Sequence, residues 1–395
     1  MQEEKFISWN EDKTYSLVSG GLIYSLLLKL GILKHGKQRL LLRSIVFSLL
    51  GWLPLIILSF TDGTFLGEDG QLGVAQDFLL HIRLLVVVPF LIWVEKMIDP
   101  AFNGYMNSTR RLIPPNEEAT FRKIETQTEK MSDSWIPEIF FLLLIYGVLL
   151  FNWGNITVNN ARILIADSAS DINLSAIYYI FVSMPVYQLL LARWFWRWII
   201  WAITVYRISR MNLRIEASHA DQSAGLEYLN VVPAAFCIVS LALSAIFAAT
   251  IGEYIIYHGK ILDDFVLQII AFAIAIPLIV HLPLLSFIPL LIMTRVNGIY
   301  RFGSLIQYHN NLYREKWMEG NMPDDDNLLP SLDNSSMADI NGSYQQAVKA
   351  MTVIPINRNA LLISMLMLLI PFFPLIFTKY SLTELFSELV KVISG

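Results

Sequence analysis

The chain has almost no cysteine, few charged residues and none of the common phosphate-binding or catalytic signatures. One cysteine among 395 residues, Cys237, excludes an intrachain disulfide framework and a cysteine-based metal cluster. There is no Walker-type phosphate loop, no GxGxxG and no HExxH zinc motif. We therefore expect no cofactor, no metal and no assigned catalytic residue.

Charge is scarce along the whole sequence. Charged residues make up 16% of it and apolar residues 55%, with a mean hydropathy of +0.52, whereas soluble domains carry about 25% charged residues. A chain this apolar cannot cover a water-exposed surface with polar groups, so we predict an integral membrane protein. The net charge of −4 provides no positive surplus for binding nucleic acid.

Seven long apolar runs account for this composition. A helix needs about 20 mostly apolar residues to cross roughly 30 Å of hydrocarbon, and an open sheet cannot exist in lipid. The alternation of a transmembrane barrel is absent from the sequence. We predict an all-α polytopic membrane protein with about seven transmembrane helices, at about 43–60, 78–97, 136–153, 176–204, 232–256, 265–294 and 359–378.

Lysine and arginine alternate between the segments that connect these runs. They are concentrated in 1–42, 99–134, 205–231 and 295–358, and they are rare in the intervening loops. Because cytoplasmic loops are enriched in basic residues, the pattern predicts a cytoplasmic N-terminus and a C-terminus on the outer side of the membrane.

This threading divides the chain into three parts. The cytoplasmic segment 1–42 contains an amphipathic or re-entrant helix at 17–33, the transmembrane domain covers 43–378, and 379–395 is a short amphipathic tail. The acidic stretch 319–343 has few bulky residues, which predicts a mobile loop.

Ionisable side chains inside apolar runs are costly and therefore mark candidate sites. His281 lies near the middle of the sixth run among Pro277, Pro283 and Pro289, a pattern that predicts a bent or broken helix. It is a candidate for a pore or a proton pathway. The alternative is a neutral histidine that is hydrogen-bonded to a carbonyl freed by proline.

Two further charges are candidates for an ion pathway. Arg83 lies in the second run, and Glu253 lies near the outer end of the fifth. In the alternative interpretation Arg83 extends its side chain to the membrane surface, and Glu253 forms a structural ion pair with Arg83 or Lys260.

The end of the fourth run combines tryptophan with arginine. Arg193 and Arg197 are one helical turn apart beside a stripe of tryptophans, which is typical of an interfacial anchor and also suits an ion pathway. Arg207, Arg210 and Arg214 continue at helical spacing. We predict a long fourth helix that projects into the cytoplasm and presents these arginines to anions or lipid headgroups, or else a basic end that stops translocation.

A histidine and an aspartate lie two residues apart in the segment that follows. His219 and Asp221 have the residue types of a metal site or an acid-base pair, but metal sites use three or four ligands. The structural alternative is that Asp221 caps the backbone amides at the beginning of the next helix.

Residues 193–229 resemble a group of uncharacterised bacterial multi-pass membrane proteins. In that group a tryptophan- and arginine-rich helix leads into a loop of the form His-Pro-Asp, then Gly-Gly-Leu. Here the loop reads HADQSAGL, with Ala220 in place of the proline and Ala224 in place of the first glycine. The resemblance implies an inner-membrane location and a structured loop, and it implies no particular activity.

Three functions are compatible with these features. The first is a homo-oligomeric ion channel or pore with a basic cytoplasmic vestibule. The second is a membrane scaffold or effector subunit that binds a partner protein through 99–134 and 205–231. The third is an intramembrane enzyme that acts on lipid. Membrane lipid is an expected partner in every case, and nucleic acid is not.

Overall fold

The computed structural model is built from helices. It describes residues 14–33, 39–66, 73–151, 173–319 and 332–379, and these contain no β-strand. The predicted tail 379–395 lies almost entirely outside the described residues, as does the loop between the third and fourth runs. The helices are α1 (Gly21–Lys29), α2 (Leu40–Thr61), α3 (Phe78–Arg111), α4 (Glu118–Asp133), α5 (Ile136–Phe151), α6 (Leu174–Ile208), α7 (Glu227–His258), α8 (Leu262–Trp317), α9 (Leu332–Gln345) and α10 (Arg358–Thr378).

Six of these helices are long and apolar enough to cross a membrane. They are α2, α3, α6, α7, α8 and α10, and a seventh span results if α4 and α5, which meet at a bend of 41°, are counted together. The predicted all-helical, multi-pass class is therefore confirmed. The direction of threading remains a prediction.

Two of the spans change from α-helix to 3-10 helix where the sequence contains several prolines. In α8 a 3-10 segment, Leu282–Phe287, follows His281 directly, and Pro283 is at its beginning. The predicted break in the sixth run is thus present. Proline lacks an amide hydrogen and clashes with the preceding turn, which favours the tighter helix. The last part of α10, Ile370–Thr378, is 3-10 helix for the same reason and contains Pro371 and Pro374.

The fourth helix does not continue to Arg214 as predicted. α6 ends at Ile208, and Arg210 and Arg214 lie in the irregular segment beyond it. Met211 and Leu213 are buried there, and the amide of Arg214 donates to the carbonyl of Leu112 at 2.8 Å. Burial of Met211 and Leu213 in the hydrophobic core, together with this hydrogen bond, takes the place of the exposed helix that the arginine spacing suggested.

One other predicted segment differs in part from the structure, and one contains a shorter helix than its full length. Within 319–343, predicted as a mobile loop, the residues from Leu332 onward belong to α9, whereas 320–331 lies outside the described residues. The segment 17–33 contains only the nine-residue helix α1. At 1.5 Å per residue this helix is about 14 Å long, too short to cross a bilayer.

Candidate interaction platform and buried charge cluster

Polar segments far apart in the sequence pack together at one end of the helix bundle. We call the unit formed by 99–133, 209–230, 295–317 and 332–357 the platform. Its core is continuous with that of the bundle, since one hydrophobic cluster includes residues from both, among them Tyr105, Phe121, Leu226, Met351, Trp201 and Val232. The platform is thereby joined to the spans through a common core.

Hydrogen bonds join the two stretches that were predicted to dock a partner. The hydroxyls of Thr109 and Tyr228 are 2.9 Å apart. The hydroxyl of Thr128 also lies 2.9 Å from that of Thr204, at the end of the fourth run. Arg207, a predicted anion contact, instead donates to the side-chain oxygen of Gln127 at 2.6 Å. Residues 99–134 and 205–231 therefore form one surface.

The later part of the chain closes the platform. The amide of Thr352 donates to the carbonyl of Gln222 at 2.8 Å, and the amide of Asn357 donates to the side-chain oxygen of Asn230 at 2.9 Å. Gly298 of α8 lies against the 209–230 segment. A β-carbon added to it would be 2.6 Å from that of Ala217. Only glycine permits this approach of helix and loop.

A buried cluster of charges lies beneath the platform. Glu95 of α3 accepts hydrogen bonds from Arg43 at 2.5 and 3.1 Å and from Arg197 at 3.1 Å, and all three side chains are at most 5% exposed. Arg193 pairs with Glu138 of α5 at 2.9 Å. Such pairs do not by themselves stabilise a fold strongly, but removal of one partner leaves an uncompensated buried charge.

The predicted tryptophan stripe is part of this core and not an exposed interfacial belt. Trp201 is fully buried and Trp194 is 4% exposed. The indole of Trp194 donates to the carbonyl of Leu91 at 3.1 Å, and the guanidinium of Arg197 lies 4.5 Å from the Trp194 ring centroid. Arg193 and Arg197 are therefore enclosed by the chain itself, at 6% and 4% exposure.

The N-terminal segment 14–33 lies over the cluster. Asp99 accepts the amides of Leu17 at 3.0 Å and Val18 at 3.2 Å, and Glu138 accepts the amide of Ile23 in the first turn of α1 at 2.9 Å. A small cavity of about 20 Å³ between this segment and Arg193 has room for about one water molecule.

The other charged candidates lie elsewhere. Arg83 is twelve residues before Glu95 on α3, a rise of about 18 Å. Its guanidinium donates to the hydroxyl of Tyr179 at 3.1 Å and lies 5.9 Å from the ring centroid of Tyr187. Glu253 is close enough to act electrostatically on the same Tyr179. The structure thus brings Arg83 and Glu253 to one region and Arg193 and Arg197 to another.

His281 is completely buried. Its Nδ1 is 2.8 Å from the carbonyl oxygen of Pro277, one turn earlier, as the structural alternative for this residue predicts. Its Nε2 has no hydrogen-bond partner among the described residues. Within the described parts of the chain, no hydrogen bond or ion pair joins His281 to Arg83, Glu253, Arg193 or Arg197.

The His219–Asp221 loop is held by its aspartate. Asp221 accepts the amides of Ser223 at 2.9 Å, Gly225 at 3.0 Å and Glu227 at 3.1 Å, directly before α7 begins. The capping interpretation is confirmed. The Nδ1 atom of His219 lies 2.8 Å from Oδ1 of Asp221. No group of three potential metal ligands occurs among the described residues.

The electrostatics of the loop favour a charged aspartate. Partial burial alone would raise the pKa of Asp221, but the backbone amides and His219 stabilise the carboxylate more strongly, so its pKa lies below the usual value. Ala224, which replaces a glycine of the resembled pattern, has a left-handed φ of 59°. That conformation is one that glycine adopts without strain.

Several residues that build the charge cluster were not among the predicted sites. Glu95 and Glu138 lie at the ends of apolar runs, so their sequence positions suggest surface groups. The signal in the sequence was that these acids and the arginines lie at the same end of neighbouring spans.

Comparison with protein-family models, curated proteins and solved structures finds no match. The class of the chain is given by the described residues themselves, which are helical and contain six or seven helices long and apolar enough to cross a membrane.

Proposed function

We propose that this protein is a scaffold of the bacterial inner membrane that docks a partner protein on a cytoplasmic platform. The observation that supports it is the packing of 99–134 against 205–231 on a hydrophobic core that is continuous with the core of the spans. A rigid surface loses little conformational entropy on binding, which favours affinity.

Two arginines on the platform indicate the chemistry of the partner. Arg210 and Arg214 are exposed, and neither forms an ion pair with a carboxylate among the described residues. Arg210 lies over the ring of Tyr206 at 4.9 Å, which orients its guanidinium. Arginine beside an aromatic ring is typical of binding hot spots, so we expect an acidic patch on the partner.

The test is site-specific photo-crosslinking in living cells. A photoreactive residue at exposed Glu216 is expected to give a defined adduct with one protein, and the same residue at exposed Lys260, at the opposite end of α7, is not. Arg210→Glu with Arg214→Glu is expected to abolish the adduct while the membrane level of the protein stays constant. Equal adducts at both positions, or an adduct that survives charge reversal, would contradict the proposal.

An ion channel makes a different prediction. Its pathway candidates occupy separate regions of the described chain, and Arg193 and Arg197 are held in ion pairs. Purified protein in planar bilayers is therefore expected to show no conductance. Reproducible single-channel currents that change in the Arg83→Gln variant would contradict the scaffold proposal and support an ion channel.

A further inference from the structure

An apolar cavity lies between four spanning helices. Its volume is about 410 Å³, within the range of small-molecule sites. Its walls come from α5, α6, α7 and α8 and include Phe141, Phe195, Trp198, Phe236, Leu243 and Ile276. On α6, Phe195 and Trp198 are on the face opposite to Arg193 and Arg197. The ring of Trp194, which also lines the cavity, lies between it and Arg197.

The polar groups in the wall are already occupied. The indole of Trp194 donates to the Leu91 carbonyl at 3.1 Å, and that of Trp198 donates to the Val280 carbonyl at 3.4 Å. The hydroxyl of Ser240 donates to the carbonyl of its own helix at 3.1 Å. The cavity therefore has aromatic walls in fixed positions and presents no free donor to a ligand.

The cavity opens toward the outside of the bundle. Phe195 is 54% exposed, Ile279 is 50% exposed and Leu243 is 37% exposed. These residues lie within the spanning helices, where the surrounding medium is hydrocarbon. Water does not fill an apolar cavity that offers it no polar partners, and an unfilled cavity loses the dispersion contacts of its whole lining.

We propose that this cavity is a binding site for one acyl chain of a membrane phospholipid, held as a bound constituent of the protein. A saturated chain needs only dispersion contacts, which the aromatic walls supply. A quinone ring needs hydrogen-bond donors for its carbonyl oxygens, and the three donors of the wall are engaged. The site is independent of the scaffold function and does not require it.

The test uses the full-length protein in phospholipid nanodiscs that contain a phospholipid with a photoreactive diazirine in its acyl chain. Labelling of peptides around Leu191 and Leu243 is expected to saturate at a low mole fraction of probe. Labelling around Leu144 and Leu366, which are 49% and 66% exposed, is expected to rise in proportion to probe. Labelling that rises in proportion at all four positions would overturn the proposal.

Competition and substitution identify the occupant and the site. Unlabelled phospholipid is expected to suppress the saturable labelling, and a polyisoprenyl quinone at the same mole fraction is not. Displacement by the quinone alone would refute the assignment to phospholipid. Ala192→Phe places a ring in the cavity and is expected to remove the saturable component, while Leu144→Phe leaves it intact.

A second variant and a second measurement guard against misfolding. Leu243→Trp obstructs the exposed side of the cavity and is expected to act like Ala192→Phe. Native mass spectrometry after detergent exchange is expected to show a retained phospholipid on the wild-type chain and none on either variant. Folded variants that retain the phospholipid would count against the site.

Discussion

Glu95 and Arg197, 102 residues apart in the chain, form a 3.1 Å ion pair in which neither side chain is more than 5% exposed. Arg43 pairs with the same carboxylate from α2. One carboxylate thus joins three spanning helices at the level where the platform begins. This contact explains why the arginines of the fourth run are not available at the protein surface.

The first prediction concerns Glu95. Glu95→Gln leaves Arg43 and Arg197 buried without a countercharge, so we expect a loss of about 3–5 kcal/mol in the free energy of unfolding. Unfolding in mixed micelles, followed by tryptophan fluorescence, measures it. The matched control is Glu118→Gln, which removes an exposed partner of Arg122 on α4 and should change stability little. Equal effects in the two variants would show that the buried cluster is not structural.

The second prediction concerns the N-terminal segment. Gly21 has a φ of 86°, and an added β-carbon would be 2.6 Å from Oε1 of Glu138. Gly21→Ala is therefore expected to weaken the docking of 14–33 by about 1–2 kcal/mol from backbone strain, with a further loss because the Glu138 carboxylate, which pairs with Arg193, must move. Hydrogen exchange of the Leu17 and Ile23 amides reports it.

Gly31 provides the control for that experiment. It also has a positive φ, of 69°, but an added β-carbon meets no atom within 4 Å. Gly31→Ala should thus introduce backbone strain without a clash, and the Leu17 amide should stay protected from hydrogen exchange. If both variants exchange alike, contact with Glu138 does not hold the segment.

The third prediction concerns the packing of α8 in the platform. In Gly298→Ala the new methyl group would overlap Ala217, so we expect a loss of about 1–3 kcal/mol. In Gly303→Ala on the same helix no atom lies within 4 Å of the added carbon, and the better helix propensity should stabilise by up to about 1 kcal/mol. Thermal unfolding of the two variants should therefore shift in opposite directions.

The fourth prediction concerns pH. Because the folded pKa of Asp221 is lowered, its carboxylate stabilises the protein above the unfolded pKa of about 3.9, and this contribution is lost as pH falls through the folded value. The stability difference between the wild type and Asp221→Asn should therefore be largest near neutral pH and shrink on acidification. Thermal unfolding across this pH series measures it, and a difference independent of pH would contradict the assigned role of Asp221.

Composition and periodicity by themselves determined the class of the fold. A run of about 20 apolar residues in a hydrocarbon layer forms a helix, because every backbone amide must then be hydrogen-bonded within its own segment. The break after His281 and the cap at Asp221 were also predictable, since proline and a capping aspartate act on residues within a few positions of themselves.

Only the tertiary structure decided how the polar groups are used. Arg193 and Arg197 have the spacing of a basic surface, but in the fold they form buried ion pairs with Glu138 and Glu95 of other helices. The fourth helix ends at Ile208, and the segment after it buries Met211 and Leu213 in a core built from distant parts of the chain, which local propensity does not predict. Ion pairs and buried contacts form between residues that are distant in the chain. The spacing of residues along one segment therefore does not reveal which residues of other segments will pack against them.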